Sequence, residues 1–305
     1  MAEPARTFLS IGECMLEFSR RADGAFNLGY AGDTLNTACY FRAAAGDAWH
    51  VQYFTRLGSD VYSAGLRAFL ESRGIATHWI ASDPHRLPGL YLIETRDGER
   101  SFSYWRSQSA ARLLADDEPR LRAAIAAGAV LYFSGITLAI LAPDRRQFLL
   151  EALAAARAAG KTTVFDPNIR PRLWQDAETL RQSIAEASAA AAIVLPSYDD
   201  ERAVFADASL EACAGRYRAY GAGEVVVKNG GGPVCAFADG RMVAIDGLDR
   251  VEPLDSTGAG DAFNGAYLAA RLSGDSAADA IRKAHVLAAR VVRHPGALLP
   301  PEALA

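Results

Sequence analysis

The sequence predicts an α/β fold with a mostly parallel central sheet and a second, smaller β-sheet. Beyond residue 129, short β-rich runs alternate with longer helical patterns, which is typical of parallel strands joined by helical crossovers. Earlier in the chain, two separated segments have hairpin patterns instead. With 305 residues, half of them hydrophobic, the chain is long enough to bury a large core.

The first part of the chain predicts two buried strands, a hairpin that leaves the core, and two helices. The strands are expected at Phe8–Gly12 and Val51–Leu57, and the hairpin at 13–18 and 26–30 with a polar turn at 20–24. A helix begins near residue 31, with Asp33 or Thr34 as its N-cap, and another covers 62–72.

A second hairpin pattern covers 86–94 and 100–106. Its alternating apolar runs flank Asp97-Gly98, a strong turn signal. Together with residues 13–30, this hairpin predicts a small sheet built from two separated segments.

The remaining chain predicts an alternation of strands and helices, and a polar rim. Strands are expected at 130–134, 162–166, 193–195 and 224–227, and helices at 143–159, 177–189, 199–205 and 278–292. Ligands of parallel sheets bind at the carboxyl ends of the strands. This rule selects one arc of residues, 166–171, 197–200 and 228–232.

The stretch Asp255-Ser256-Thr257-Gly258-Ala259-Gly260-Asp261 lies between a β-like run at 242–245 and an apolar helical pattern at 262–272. Glycines at 258 and 260 permit positive φ and close backbone approach, so consecutive N–H groups at a helix start can bind one anion. Phosphate is the expected anion, and a carboxylate beside it suits proton transfer. A bare G-x-G-D is equally compatible with an ordinary turn before a helix.

The full stretch resembles the D-T-x-G-A-G-D signature of the ribokinase-type (PfkB) sugar kinase family, with Ser256 in place of the first threonine. The resemblance implies a ribokinase-like three-layer α/β/α sandwich with a small β-sheet lid. It makes Asp261 the general base, assigns the phosphoryl anion to Gly258, Ala259 and Gly260, and makes Asp255 a substrate contact. The implied domains are a core at 1–12, 37–85 and 113–305, and a lid at 13–36 and 86–112.

The substrate site also follows from the resemblance. Residues 31–36 are similar to the family's G-G-x-x-x-N signature, with Ala31 in place of the first glycine. The signature implies sugar contacts at Gly32, Asp33 and Asn36. The segments 11–17, 87–91 and 104–106 resemble members that phosphorylate the keto sugar acid 2-keto-3-deoxygluconate. That likeness adds Tyr91, Tyr104, Arg106 and Arg170, the two arginines being matched to a carboxylate.

The nucleotide site is implied by further segments. Asp166-Pro167-Asn168-Ile169-Arg170 is similar to D-x-N-x-R, with the asparagine near the nucleotide phosphates, and 228–232 resembles K-x-G-x-x-G. The nucleotide-binding residues implied are Asn168, Ser197, Lys228, Gly230, Gly232 and His285. Ser197-x-x-Asp200 replaces the family's N-x-x-E, so Asp200, or the adjacent Glu201, is expected to serve magnesium, directly or through water. The cofactors implied are ATP and Mg²⁺, with room for a monovalent cation.

Composition excludes several function classes. The formal net charge is -4 and no long basic run occurs, which argues against nucleic-acid binding. No apolar stretch is long enough to span a bilayer, and Met1–Thr7 has no export signal, so we expect no membrane partner and a cytoplasmic location. The four cysteines lack metal or redox spacing and are expected to be reduced and mostly buried.

The expected activity is therefore phosphorylation of a keto sugar acid by ATP, in a homo-oligomer formed through the lid. Two alternatives remain open from the sequence. One is a kinase of the same family for fructose or a nucleoside, and the other is a catalytically silent sugar-binding regulatory protein.

Overall fold

The structure is a computed structural model that describes residues 6–21, 23–96 and 99–304. Its centre is a nine-stranded sheet, with the strand order β15-β14-β13-β12-β11-β10-β1-β4-β6. In chain order, these strands are β1 (Thr7–Ile11), β4 (His50–Phe54), β6 (Ile75–Ala76), β10 (Val130–Ser134), β11 (Thr162–Asp166), β12 (Ile193–Val194), β13 (Glu224–Val227), β14 (Val234–Ala238) and β15 (Arg241–Ile245).

All pairs in this sheet are parallel except the two that involve β14. The parallel strands are buried on both faces because helices cover both sides, so their sequences are continuous apolar runs. The α/β class and the mostly parallel sheet are confirmed.

In the part of the chain that the structure describes, ten helices lie in two layers, one on each face of the sheet. They are α1 (Asp33–Ala45), α2 (Val61–Ser72), α3 (Glu118–Ala127), α4 (Gly135–Ile140), α5 (Pro143–Ala158), α6 (Ala177–Ala189), α7 (Tyr198–Phe205), α8 (Leu210–Ala219), α9 (Ala259–Leu272) and α10 (Ala277–Val291). One core cluster joins α1, α2, α9 and α10 to the sheet, and the other joins α3 to α6 and α8 to the opposite face. Alternate strand residues serve the two clusters, as Phe8 and Leu9 do. The three-layer sandwich is confirmed.

The small sheet has four strands in the order β3-β2-β8-β9. They are β2 (Met15–Arg20), β3 (Phe26–Ala31), β8 (Gly89–Arg96) and β9 (Glu99–Trp105). The two hairpins join through the parallel pair β2–β8, in which Met15 lies opposite Gly89. We call this sheet the lid. The Asp97-Gly98 turn lies outside the described residues, and the exact domain boundaries stay a prediction.

Two local expectations were wrong. The strand expected over 51–57 ends at Phe54, and Arg56–Leu57 forms a separate short strand, β5, that pairs with β7 (Ala81–Ser82). The N-cap of α1 is Gly32 rather than Asp33 or Thr34. Gly32 has φ +154, and a Cβ there would lie 2.4 Å from the Glu13 carbonyl oxygen, so close packing requires glycine.

The cysteines and the helix lengths bear on two further expectations. All four cysteines are free and buried, as expected. Within the described ranges, the helices fall short of the length and apolar character that crossing a bilayer requires.

Candidate active site

A tight loop before α9 builds the centre of the site. Gly258 is the N-cap of α9 and has φ +79, a left-handed conformation that favours glycine. A Cβ on Gly258 would lie 2.3 Å from the Ala297 carbonyl oxygen. Ala259 and Gly260 are the first residues of the helix, so their amides lack intrahelical partners, and the Ala259 amide makes only a long 3.3 Å bond to the Ser256 carbonyl oxygen. The helix dipole adds positive potential at the same place.

Asp255 braces this loop. Its carboxylate accepts hydrogen bonds from the Thr257 amide at 3.0 Å and the Gly296 amide at 2.5 Å. Asp255 is buried, and the same closing segment is held by the Tyr40 hydroxyl, which donates to the Ala297 carbonyl at 2.8 Å. The sequence resemblance makes Asp255 a substrate contact, whereas the bonds seen here are to the backbone.

Asp261 lies in the first turn of α9, directly after the glycine loop. Its Oδ2 atom accepts a 2.8 Å hydrogen bond from the Asn36 side chain on α1. Burial raises the pKa of Asp261 to about 8, and the nearby Asp33 carboxylate acts in the same direction. The Asn36 hydrogen bond and the Lys228 charge oppose that rise. A carboxylate with such a pKa can accept a proton near neutral pH.

Asp33 and Asn168 are brought together across the site. The Asn168 side-chain amide donates to Asp33 Oδ2 at 2.9 Å, which links the end of β11 to the start of α1. Asn168 has φ +34, an uncommon conformation for a residue other than glycine. Asn168 therefore contacts a residue that the resemblance assigns to the sugar, whereas its own expected contact is with the nucleotide phosphates.

A buried polar cluster beneath the loop was missed by the sequence analysis. The Asn264 side chain donates to Asp166 Oδ2 at 2.6 Å and to the Tyr132 hydroxyl at 3.1 Å, and it accepts from Lys228 Nζ at 2.9 Å. Asn264, Tyr132, Asp166 and Lys228 are all buried. One signal was available: Asn264 is a polar residue one turn after Asp261 in an otherwise apolar helix.

The expected nucleotide residues largely share one cleft of about 340 Å³. Ser197, Lys228, Gly230 and His285 all line it, together with the loop residues Ser256, Ala259 and Gly260. The glycine loop before α9 is thus part of the wall of this cleft. Gly231 lines the cleft, whereas Gly232 does not.

His285 is fixed in this cleft by one hydrogen bond. Its Nε2 atom lies 2.7 Å from the Asp249 carbonyl oxygen, and because a carbonyl only accepts, Nε2 carries the proton. The side chain is buried on α10.

On the lid side, the buried Tyr91 and the partly buried Arg106 are each held by a glutamate, one within β2 and one just before it. The Tyr91 hydroxyl donates to Glu17, and Arg106 forms an ion pair with Glu13. The Glu13 side chain is fully buried. Tyr104 packs against the Tyr91 ring, with centroids 5.7 Å apart, and remains exposed. The arginine expected to bind a carboxylate thus already has one carboxylate partner.

Arg170 and Asp200 form the opposite, more exposed pair. Arg170 Nη1 lies 3.3 Å from Asp200 Oδ2, and both side chains are more than a third exposed. Burial raises the pKa of Asp200, and the Arg170 charge opposes the rise. Such an exposed pair costs little to separate.

Glu201 cannot replace Asp200 as a metal ligand. Its side chain is 1% exposed, and its carboxylate accepts from Arg216 at 2.8 Å. Glu201, Asp207 and Cys213 do converge, but Arg216 also binds Asp207 at 2.6 Å, so its guanidinium already fills the cluster. The alternative in which Glu201 serves magnesium was wrong because α7 turns this side chain into the core.

Comparison with known proteins agrees with this geometry. The family model described as "pfkB family carbohydrate kinase" matches residues 5–304. The chain belongs to the pfkB family of carbohydrate kinases. The ribokinase-type resemblance of the signatures is therefore confirmed, and the protein is a sugar kinase.

Several pfkB relatives are similar over nearly their whole length. The 2-dehydro-3-deoxygluconokinase of Dickeya dadantii (strain 3937) is 39% identical and covers 96% of this chain and 97% of that protein. The enzyme of the same name from Escherichia coli (strain K12) is 38% identical with the same coverage. The crystal structure of fructokinase with bound ATP from Xylella fastidiosa has a TM-score of 0.82 and 25% identity, covering 98% of this chain and 94% of that one. ATP is therefore the nucleotide expected of the family.

Proposed function

We propose that the protein transfers the γ-phosphoryl group of ATP to the terminal hydroxyl of 2-keto-3-deoxygluconate, giving 2-keto-3-deoxy-6-phosphogluconate and ADP. The observation that carries the reaction type is the position of Asp261. This carboxylate, with its raised pKa, directly follows a glycine loop that lines the cleft proposed for the nucleotide. The relatives named above support the substrate.

In this mechanism Asp261 accepts the proton of the sugar hydroxyl. The hydroxyl oxygen then attacks the γ-phosphorus in line, the bond to the β,γ-bridging oxygen breaks, and ADP leaves. The amides of Gly258, Ala259 and Gly260 stabilise the charge on the transferring group. Asn36 orients the base through its hydrogen bond to Oδ2. The lid covers the sugar and excludes water, which would otherwise accept the phosphoryl group.

Magnesium fits the residues beside the cleft. Asp166 already accepts bonds from Asn264 and the Asn168 amide, whereas the partly exposed Asp200 is held only by the weak Arg170 pair among the described residues. A single carboxylate is consistent with a Mg²⁺ ion that keeps its waters and phosphate ligands. When bound, the ion would neutralise charge on the ATP phosphates. The part of a monovalent cation in the reaction stays a prediction.

The substrate carboxylate is assigned to Arg106 and Arg170. Arg106 is paired through one nitrogen of its guanidinium, and the other donors of the fork can still bind a carboxylate. Arg170 can exchange its exposed partner Asp200 for the substrate at small cost.

A neutral sugar is the second candidate, because each of these arginines already faces a carboxylate and the ATP-bound structural relative is a fructokinase. We would measure ADP release with magnesium-ATP and 2-keto-3-deoxygluconate, its galactonate epimer, gluconate, fructose and ribose. Turnover confined to the keto-deoxy acids supports the proposal. Preferred turnover of fructose or ribose would replace the substrate, and no turnover with any sugar would favour a silent binding protein.

Replacing Arg106 with lysine tests the carboxylate contact. Lysine preserves the charge beside Glu13 but has no fork, so we expect the KM for the keto sugar acid to rise about tenfold or more. The KM for ATP and the turnover of any neutral sugar should stay within about twofold. Steady-state kinetics provide the measurement.

The control is Arg145→Lys, since Arg145 also pairs with carboxylates, those of Glu118 and Asp144, but lies on α5. Equal kinetic changes in both variants would show that Arg106 has no special contact with the substrate.

The pH dependence of the reaction follows from Asp261. With a pKa of about 8, only about a tenth of this carboxyl is ionised at pH 7, so kcat/KM should rise nearly tenfold per pH unit below about 8 and then level off. A profile measured from pH 5.5 to 9.5 checks this. If kcat/KM instead stops rising near pH 5, Asp261 keeps an ordinary pKa in the free enzyme.

Homo-oligomerisation through the lid stays a proposal, which the exposed apolar side chains of that sheet support. By the strand register, Phe26, Leu28 and Trp105 share one face of the lid sheet, and they are 48%, 42% and 57% exposed. Such a patch marks an interaction surface. Molar mass in solution, measured by light scattering, tests it.

A further inference from the structure

The Lys228 ammonium is a buried charge that the resemblance assigns only to nucleotide binding. Lys228 directly follows β13, and only 7% of its surface is exposed. Its Nζ atom lies 2.9 Å from Asn264 Oδ1 and 3.5 Å from Asp166 Oδ2. Removing an ammonium group from water costs free energy, which hydrogen bonds to neighbouring polar groups only partly offset. Packing alone therefore does not account for a lysine at this position.

The position of Nζ relative to the glycine loop suggests a role in binding an anion. A Cβ built on Gly260 would lie 3.7 Å from Nζ, so the ammonium sits beside the first turn of α9. Lys228 also lines the cleft together with Ala259 and Gly260. The charge therefore lies beside the glycine loop, in the wall of the same cleft.

The partners of Lys228 leave it able to bind an anion. An ammonium has three N–H donors, and the described residues place two acceptors within 3.5 Å of it. Asn264 is in turn fixed by Asp166 and by Tyr132, whose hydroxyl also accepts from Thr37. The ammonium is thus held by groups from β11 and α9 rather than by solvent.

We propose that Lys228 is a catalytic residue whose ammonium contacts the γ-phosphoryl group during transfer, and that Asn264 and Asp166 position it there. The inference rests on the proposed kinase function but not on the identity of the sugar. Lys228 then supplies a full positive charge beside the loop amides, in a site that excludes water, where electrostatic stabilisation is strongest.

Lys228 also acts on the base. The charged groups that influence Asp261 are Asp33 from α1, Asp166 from β11 and Lys228, and of these only Lys228 lowers the pKa of Asp261. The ammonium thereby keeps more of the base ionised near neutral pH. In the proposed reaction Lys228 thus has two effects: it stabilises the negative charge of the phosphoryl group, and it favours the ionised form of the Asp261 carboxylate.

The deciding variant is Lys228→Met, which keeps the length of the side chain and removes the charge. We expect the Kd of a non-hydrolysable ATP analogue to rise about tenfold while the Kd of ADP changes less than twofold, because only the analogue has a γ-phosphoryl group. The analogue-to-ADP comparison needs no sugar. It therefore remains decisive if the proposed substrate proves wrong.

Kinetics on the sugar that the wild-type enzyme accepts give a second measurement. We expect kcat to fall at least a hundredfold and the rising limb of the pH profile to move up by about half a pH unit or more, since the charge that favours ionised Asp261 is gone. Asn264→Leu should raise the ratio of the Kd of the ATP analogue to the Kd of ADP, as Lys228→Met does, but by a smaller factor. The matched control is Lys283→Met, an exposed lysine on α10 paired with Asp275, which should change none of these values.

Several outcomes would overturn the inference. Equal weakening of ADP and analogue binding would place Lys228 on the α- or β-phosphate, and unchanged binding with an unmoved pH limb would reduce it to a structural ion pair. Lys228→Met could fail to fold because the buried Asp166 carboxylate loses its positively charged neighbour. In that case the double variant Asp166→Asn, Lys228→Met removes both charges and replaces the single variant. We expect the double variant to bind the ATP analogue more weakly while its affinity for ADP stays the same. If analogue and ADP binding change equally in the double variant, or neither changes, the proposal is refuted.

Discussion

Replacing Asp261 with asparagine should lower kcat by about a thousandfold or more, because asparagine cannot accept the proton of the sugar hydroxyl. The change is nearly isosteric, and Asn36 can still donate to the remaining side-chain oxygen. The KM values of sugar and ATP should therefore change by less than about threefold. Comparable kcat values for both proteins would remove Asp261 from the mechanism.

The same variant should be more stable than the wild-type protein above neutral pH. Because the pKa of Asp261 is raised to about 8 in the folded protein, folding takes up a proton between pH 4 and 8, and stability falls as the pH rises through that window. Asparagine has no such cost. We expect the melting temperature of Asp261→Asn at pH 8 to exceed that of the wild type by ~2–4 °C, and the gap to close towards pH 4.

The variant thus provides its own folding control. Lower activity together with a higher melting temperature separates a catalytic loss from a folding defect. A drop in melting temperature across the whole pH range would instead show that Asp261 supports the structure.

The second large effect is expected for Gly258→Ala. A methyl group at this position meets the Ala297 carbonyl oxygen at 2.3 Å, and φ +79 is unfavourable for alanine. The loop must shift, and the amides proposed to bind the phosphoryl anion shift with it. We expect kcat to fall about a hundredfold, the loss typical of removing an anion-hole donor, and the free energy of unfolding to fall by about 1–3 kcal/mol.

Gly274→Ala is the matched control, because Gly274 also has positive φ, +99, but apart from its two chain neighbours no atom of the described residues lies within 4 Å of the added Cβ. It carries the conformational cost without the clash and lies at the far end of α9. Its melting temperature should fall slightly while kcat stays normal. If the two variants lose activity equally, strain in the helix rather than displacement of the loop accounts for the effect.

The sequence predicted the core strands well because their signal is local. Three strands, Val130–Ser134, Thr162–Asp166 and Glu224–Val227, have the bounds expected from buried apolar runs. The expected strand 51–57 was wrong because the apolar pattern continues where the backbone leaves the sheet at Thr55. Burial was visible in the sequence, but the change of pairing partner was not.

The signatures predicted a glycine loop at 258 with a carboxylate, Asp261, at the start of the following helix, and the structure has both, while the role of Asp261 as the base stays a prediction. The partners of these residues could not be predicted. Asn264 bonds to a carboxylate 98 residues earlier, and Glu13 pairs with an arginine 93 residues later. Likewise, Glu201 and Asp200 are adjacent in sequence, and only the direction of α7 shows that one of them is buried.

The parallel pair between β2 and β8 has a consequence for the order of folding. Glu17 and Tyr91, which join these strands, are 74 residues apart, and the intervening chain includes α1, β4 and α2. Closing so long a loop is entropically costly unless the intervening elements have already collapsed. We therefore expect the lid, with the residues proposed to contact the sugar, to complete after the first half of the sandwich.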